Sequence, residues 1–286
     1  MYVRLVIAVS ALLFVASGVF AAGMDSSIQI KGSDTMVNIN QALAESFMSK
    51  DTKAFIAVTG GGSGTGIASL LNGTCDIAAS SRNMKDKEIK QAEAAGITPK
   101  EYTVALDGLA VVVHPSNPVS KLTVDELADI FTGKTTKWKE VGGNNKRIVI
   151  LSREVNSGTH VYFKEHVLRK GNEKGPEEFA PSALLMASSQ AIADEVANNP
   201  DAIGYYGIGY VSCRQKCVAV AKDKSSLYVE PMVDNVINGT YPITRPLFFY
   251  ISDKHKSLVN KFVDFTLSEE GQKIVLETDF IPIKKK

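Results

Sequence analysis

The sequence predicts an α/β fold built in two lobes, and three observations predict it. Short apolar strands alternate with amphipathic helices along nearly the whole chain, which is the pattern of mainly parallel sheets. One strand–turn–helix unit recurs three times. No low-complexity linker divides the 286 residues, yet two segments, around Leu106–His114 and Thr240–Ile251, read as strands that pass between lobes. Two such crossings make the second lobe an insertion. Lobe 1 is therefore expected to comprise residues 22–109 and 241–286, and lobe 2 residues 110–240.

Taken in order, residues 1–21 read as an export signal. Arg4 supplies the positive start, Leu5–Val15 the apolar run, and Val19-Phe20-Ala21 offers small residues, Val19 and Ala21, at the two positions that a signal peptidase inspects. That run is too short to span a bilayer comfortably, so the mature chain is expected to be periplasmic or otherwise secreted. Strands are expected at Ile28–Ile30, Phe55–Val58, Leu109–Val113, Ile148–Leu151 and Leu247–Ile251. Thr123-Val-Asp-Glu126 is a capping-box pattern ahead of Leu127, Ile130 and Phe131, with Gly133 as the stop. Further helices are expected over Ser189–Asn199, which ends at a proline, and over Leu258–Leu276.

With 32 basic and 31 acidic residues, and Arg4 removed with the signal, the mature chain is formally neutral. A neutral chain without a Lys/Arg block argues against nucleic acid as a partner. The Lys284-Lys285-Lys286 end reads as a solvated tail. Any anion site must therefore be made by local geometry. Cys213 and Cys217 are expected to close a small loop as a disulfide in an oxidising compartment, leaving Cys75 as a buried thiol. With no second cysteine pair and the four histidines scattered, no metal site is expected, and no cofactor.

The recurring unit carries the chemistry. Ile28-Gln-Ile30 leads into Gly32-Ser33-Asp34-Thr35 and a helix beginning at Met36. Phe55-Ile-Ala-Val58 leads into Gly60-Gly-Gly-Ser63-Gly-Thr65-Gly66 and a second helix. Ile148-Val-Ile-Leu151 leads into Arg153-Glu-Val-Asn156-Ser157-Gly158-Thr159 and a third, from about His160 to Leu168. A helix start leaves backbone N–H groups without partners and carries partial positive charge. Glycine allows close approach, and Ser or Thr adds hydroxyl donors. Such ends bind oxyanions, and ligands gather at the carboxyl edge of strands in open α/β sheets. One turn alone is usually just an N-cap; three are harder to dismiss. Arg153 adds a full positive charge with a planar fork. The Gly60–Gly66 loop lacks the Gly-Lys-Ser/Thr ending of a P-loop, and Thr65 stands where a nucleophile elbow needs glycine. No acid/base pair has convincing spacing, so the chain is not expected to be an enzyme; a phosphoester hydrolase acting through Ser63 or Ser157 is the weaker alternative.

The sequence resembles the phosphate-specific substrate-binding proteins of ABC transporters, the PstS family. The resemblance runs through Gly32-Ser-Asp-Thr35, Gly62-Ser-Gly-Thr-Gly66, Asp107-Gly-Leu-Ala-Val-Val-Val-His-Pro-Ser-Asn-Pro118, Ile130-Phe-Thr-Gly133 with Trp138, Ser152-Arg153, Asn156-Ser-Gly-Thr159, Ile203-Gly-Tyr205, Tyr241-Pro-Ile-Thr-Arg-Pro246 and Glu270-Gly271. It implies a two-lobed type II periplasmic binding protein with a mainly parallel sheet in each lobe and two hinge strands, inorganic phosphate as ligand, and membrane permease subunits with an ATPase as partners, the protein itself being expected as a monomer. Another tetrahedral oxyanion, sulfate or molybdate, is the alternative ligand. The resemblance implies that Thr35 gives its hydroxyl and amide, with the Met36 amide beside it. Ser33 belongs to the same turn. Ser63 contributes from the second turn, and Arg153, Ser157, Gly158 and Thr159 from the other lobe.

One departure from the family pattern touches selectivity. Some relatives carry an Asp two residues after Ala79 that accepts the phosphate proton; here Ser81 occupies that position and Arg82 follows. Asp34 is expected to take over as acceptor, with Arg82 holding it or touching the anion. A buried carboxylate would favour an ion that keeps a proton and repel sulfate.

Overall fold

The computed structural model describes residues 26–283. The export signal and the lysine tail lie outside them. Eleven strands occur in chain order: β1 (Ser27–Gly32), β2 (Phe55–Thr59), β3 (Ile77–Ser80), β4 (Lys100–Val113), β5 (Lys121–Thr123), β6 (Val149–Arg153), β7 (Leu184–Met186), β8 (Ala202–Gly207), β9 (Lys216–Cys217), β10 (Ala219–Ala221) and β11 (Thr244–Ile251). Nine of them form one continuous sheet in the order β2-β1-β3-β11-β4-β8-β6-β7, with β9 also on β4. The outer trios are parallel, as expected, with Ile30 opposite Val58 and Ile150 opposite Ile203. The two crossing strands between them are antiparallel to each other and to their neighbours. The mainly parallel sheet expected in each lobe is present, and β4 and β11 join the two into one continuous sheet.

The reason lies in β4. Its 14 residues are long enough to serve both halves: Lys100–Gly108 pairs with β11 and Leu109–Val113 with β8. Each half has its own core. One gathers Ile28, Ile30, Leu43, Ile77, Val104, Ala105, Leu247 and Phe262; the other gathers Leu109–Val113, Phe131, Leu151, Phe163, Tyr205 and Ile243. In the second core Phe163 stacks on Tyr205 with ring centroids 3.8 Å apart. The cores meet on the crossing strands, between Ala105 and Leu109 and between Ile243 and Leu247.

Local signals mostly hold. Thr123 Oγ1 accepts from the Glu126 amide, and Glu126 Oε2 accepts from the Thr123 amide, closing the expected capping box; Gly133 ends that helix at φ 81°. Two expectations need correction. The stretch Leu258–Leu276 is two helices, Ser257–Leu267 and Glu269–Glu277, because Ser268 turns extended and caps the second through its hydroxyl. Cys213 and Cys217 are free thiols and do not form the expected bridge. Pairing with β4 holds Cys217 opposite Val112, and burial pushes its thiol up to about 11, while Cys213 sits exposed in the preceding turn. No helix among the described residues is long and apolar enough to cross a membrane.

Candidate functional site

The three hydroxyl-rich turns all lie at the carboxyl ends of their strands, β1, β2 and β6, where the parallel trios face each other across the crossing strands. Their helices are Val37–Lys50, entered through a 3₁₀ turn at Asp34–Met36, then Ser63–Leu71 and Gly158–Phe163. The turns converge on one buried cluster at the seam between the halves. Thr35 Oγ1 lies 2.9 Å from Thr159 Oγ1 across the two halves. Ser81, at the end of β3, receives a hydrogen bond from Ser33 Oγ at 3.0 Å, and its hydroxyl lies 3.3 Å from Ser63 Oγ. All six hydroxyls of Ser33, Thr35, Ser63, Ser81, Ser157 and Thr159 are buried.

Glycine is required where the halves touch. A Cβ on Gly158 would sit 2.2 Å from Ser63 Oγ, and one on Gly62, at φ 96°, would sit 2.8 Å from the Asn156 carbonyl. The seam is closed by further bonds. The Asn156 carbonyl accepts from the Gly64 amide at 3.0 Å. Asn156 Nδ2 donates to the Gly61 carbonyl and to Thr65 Oγ1.

Two of the hydroxyls accept backbone amides. Ser157 Oγ accepts from the Thr159 and His160 amides, and Ser63 Oγ accepts from the Ser81 amide. A hydroxyl whose lone pair already takes an N–H keeps its proton for another partner. The Met36 amide is not available as expected: it donates to the Ser33 carbonyl at 3.0 Å and so closes the 3₁₀ turn, while the Met36 side chain enters the core.

The charged residues are arranged differently from expectation. Arg153 is buried, and its fork is engaged by protein groups: Nε donates to the Met186 carbonyl, Nη2 to the Ala187 carbonyl and Nη1 to Ser189 Oγ. Nη1 also lies 3.1 Å from Asp34 Oδ2, which in turn accepts from the Ser189 amide at 2.7 Å. Burial pushes the Arg153 pKa down, and Asp34 opposes that. Arg82 does not hold Asp34. It makes a two-pronged bond to Glu88 at 2.7 and 2.8 Å, because Glu88 lies on the helix that follows it, six residues on.

Sequence reasoning missed a second buried cation. Arg245, on β11, pairs with Asp107, opposite it on β4: Nε and Nη2 lie 3.0 and 2.8 Å from Asp107 Oδ2. The pair is 2% and 0% exposed. Nη2 also donates to Thr35 Oγ1 at 3.2 Å. Burial pushes the Asp107 carboxyl up, against the pull of Arg245 and of the Ile208 amide. Two lone charges inside otherwise apolar strands, Val104–Val113 and Thr244–Ile251, were the available signal.

Behind the third turn, His160 is buried with Nδ1 3.2 Å from Ser152 Oγ, which meets the Tyr205 hydroxyl at 2.8 Å. Burial, then Lys164, lowers its pKa to about 4, so it stays neutral near neutral pH. His166 stacks on Tyr162, outside the cluster. No group of His, Cys, Asp and Glu among the described residues has the arrangement of a metal site. A cleft of about 640 Å³ is lined by Arg82, Lys85, Tyr162, Lys164, Arg169 and Pro246 among others, and by none of the six hydroxyl residues.

Two half-sheets joined by crossing strands, with helix starts meeting at the junction, define a periplasmic-binding-type protein; accordingly, a PBP superfamily domain matches residues 21–270. The chain is 31% identical to the phosphate-binding protein PstS of Pseudomonas aeruginosa over 97% of its own length and 94% of the relative's. It is 34% identical to PstS of Bacillus subtilis, covering 90% of this chain and 81% of that one. A crystal structure of a candidate phosphate ABC transporter substrate-binding protein from Clostridium perfringens, with bound phosphate, superposes with a TM-score of 0.81 at 36% identity, covering 90% of this chain and all of the other. The chain belongs to the PstS family of substrate-binding transport proteins, which are not enzymes.

Proposed function

We propose that this protein binds inorganic phosphate at the seam between its halves and delivers it to the permease subunits of an ABC transporter. The carrying observation is the convergence of the turns at Thr35, Ser63 and Thr159, with Thr35 and Thr159 in hydrogen-bond contact across the seam. Their hydroxyls are joined by helix-start amides, and each charge-assisted hydrogen bond to an anion contributes roughly 1.5–3 kcal/mol. Several together offset the cost of dehydrating a dianion. Ser33, Asp34, Thr35, Ser63, Ser81, Arg153, Ser157, Gly158 and Thr159 make up the proposed site. Arg82 stands at its rim.

The proposed working cycle is capture and closure without chemistry. Residues 22–109 and 241–286 form one lobe and 110–240 the other, hinged on β4 and β11. The ion is caught while the lobes are apart, and closure brings Arg153 and its turn over it. A monomer, exported to the periplasm after cleavage near Ala21, suits that task. Of the two carboxylates nearest the seam, Asp107 has both oxygens engaged, by Arg245 and by the Ile208 amide, whereas Asp34 bonds Arg153 and the Ser189 amide through Oδ2 and would accept the proton of HPO₄²⁻ through Oδ1.

Calorimetric titration of the ligand-stripped protein with phosphate, arsenate and sulfate tests the reading. Phosphate should bind tightly and sulfate poorly. In Asp34→Asn the preference for phosphate over sulfate should narrow by about tenfold or more. No binding of phosphate by the wild type overturns the function; an unchanged preference in the variant overturns only the role of Asp34.

A further inference from the structure

Arg245 stands where the two cores meet, and it touches more of the site than its place in a crossing strand would suggest. Its guanidinium reaches Asp107 on β4, Thr35 Oγ1 in the first turn and, at 3.4 Å, the Ser81 carbonyl. Its far side faces the Tyr162 ring, 5.7 Å from the centroid, on the helix that begins at Gly158. The Tyr162 hydroxyl in turn donates to the Thr244 carbonyl, next to Arg245.

We propose that Arg245 is a positioning residue for anion binding, which fixes the Thr35 hydroxyl as a donor. This rests on the phosphate-binding reading above. A hydroxyl has one proton and two lone pairs. Arg245 Nη2 takes one lone pair at 3.2 Å, so the Thr35 proton points away from the guanidinium, to the side where the proposed ion would lie. Asp107 has two roles in this arrangement. It holds the guanidinium through two bonds to one oxygen, and it balances the charge, so Arg245 contributes orientation rather than net attraction. The oxygen facing Thr35 should then be unprotonated, because the Thr35 proton is directed at it and an anionic oxygen is the stronger acceptor. Phosphate would be seated in one orientation, with its proton directed elsewhere.

The alternative is that the pair only braces the hinge strands. A double-mutant cycle in phosphate affinity separates the two, because bracing does not depend on the Thr35 hydroxyl. Arg245→Met should weaken phosphate binding about tenfold in the wild-type background. In a Thr35→Val background, where no hydroxyl remains to orient, the same change should cost less than about twofold. Arg245→Met leaves Asp107 as an unpaired buried acid and can fail to fold. Arg245→Met combined with Asp107→Leu removes both charges and keeps the cycle measurable, since replacing a buried pair by apolar residues is often neutral for stability. It should show the same tenfold loss with Thr35 and the same silence without it. Equal losses in the two backgrounds, or no loss in either, overturn the role of Arg245. A wild type that does not bind phosphate is a different failure, that of the function itself.

Discussion

The two buried arginines of the site find their carboxylates in different places. Arg245 meets Asp107 on the neighbouring crossing strand, so the pair lies within the hinge. Arg153 is held in the second half by the carbonyls of Met186 and Ala187 and by Ser189, but its carboxylate, Asp34, comes from the first turn of the other half. One charge is neutralised by a neighbouring strand, the other by a turn of the opposite half. Separating the halves would leave the Arg245–Asp107 pair intact and would strip Arg153 of its acid, exposing a cation to an arriving anion. On the proposed cycle, Arg153 is the group whose electrostatics differ between capture and closed states, and Arg245 is a constant.

The largest effect should follow from removing the variable charge. Arg153→Gln is expected to lower phosphate affinity by about 100-fold or more, since it removes a cation and leaves Asp34 as an uncompensated negative group beside the ion. Adding Asp34→Asn to Arg153→Gln should recover part of that loss, because no unpaired acid remains. Calorimetry on the three variants reads this directly. An Arg153→Gln protein within threefold of wild type would erase the distinction between the two arginines.

The same contrast marks what the sequence could disclose. The three turns were legible because each is a local pattern, a strand edge followed by Gly, Ser or Thr and a helix. Their convergence was inferred and holds to within hydrogen-bond distance at Thr35 and Thr159. Pairings across the chain were not legible. Asp107 and Arg245 lie far apart in sequence, and only the antiparallel register of β4 with β11 sets them opposite each other. Arg82 was assigned to Asp34 through the site, whereas Glu88, one helix start away, captured it. The Met36 amide was counted as a donor because a helix start normally leaves it without a partner; the 3₁₀ turn at Asp34–Met36 gave it the Ser33 carbonyl. Strand type was legible too, but not the single sheet, which depends on β4 being long enough for both halves.

The support beneath each side also differs. The first side rests on the Asp107–Arg245 pair, the second on the uncharged network of His160, Ser152 and Tyr205. The His160 pKa falls from 6.5 to about 4 in the folded protein. Between those values the unfolded chain binds a proton that the folded chain does not, so stability falls as pH drops from 6.5 to about 4 and the effect then levels off. The expected loss is about 2 kcal/mol, allowing for relaxation of the site. Chemical denaturation at stepped pH should show it, and His160→Asn should remove that part of the slope. An identical slope in His160→Asn would mean that the second side does not rest on a neutral imidazole.

The smallest effect should come from the seam, which joins the two sides without belonging to either charge. Asn156 Nδ2 bonds the Gly61 carbonyl and Thr65 Oγ1 at 2.9 and 3.0 Å, and both contacts exist only while the halves are together. The Asn156 carbonyl, which accepts from the Gly64 amide, survives substitution. Asn156→Ala therefore removes two neutral hydrogen bonds from the closed form and none from the open one. At roughly 0.5–1.5 kcal/mol each, less what water restores, phosphate affinity should fall about threefold to tenfold. Because the loss acts on closure and not on the anion contacts, phosphate and arsenate should weaken by the same factor. Asp34→Asn differs in kind, since it should alter the ranking among anions. An Asn156→Ala protein that weakened one oxyanion much more than another would place Asn156 in contact with the ligand, and the seam would then be part of the recognition surface.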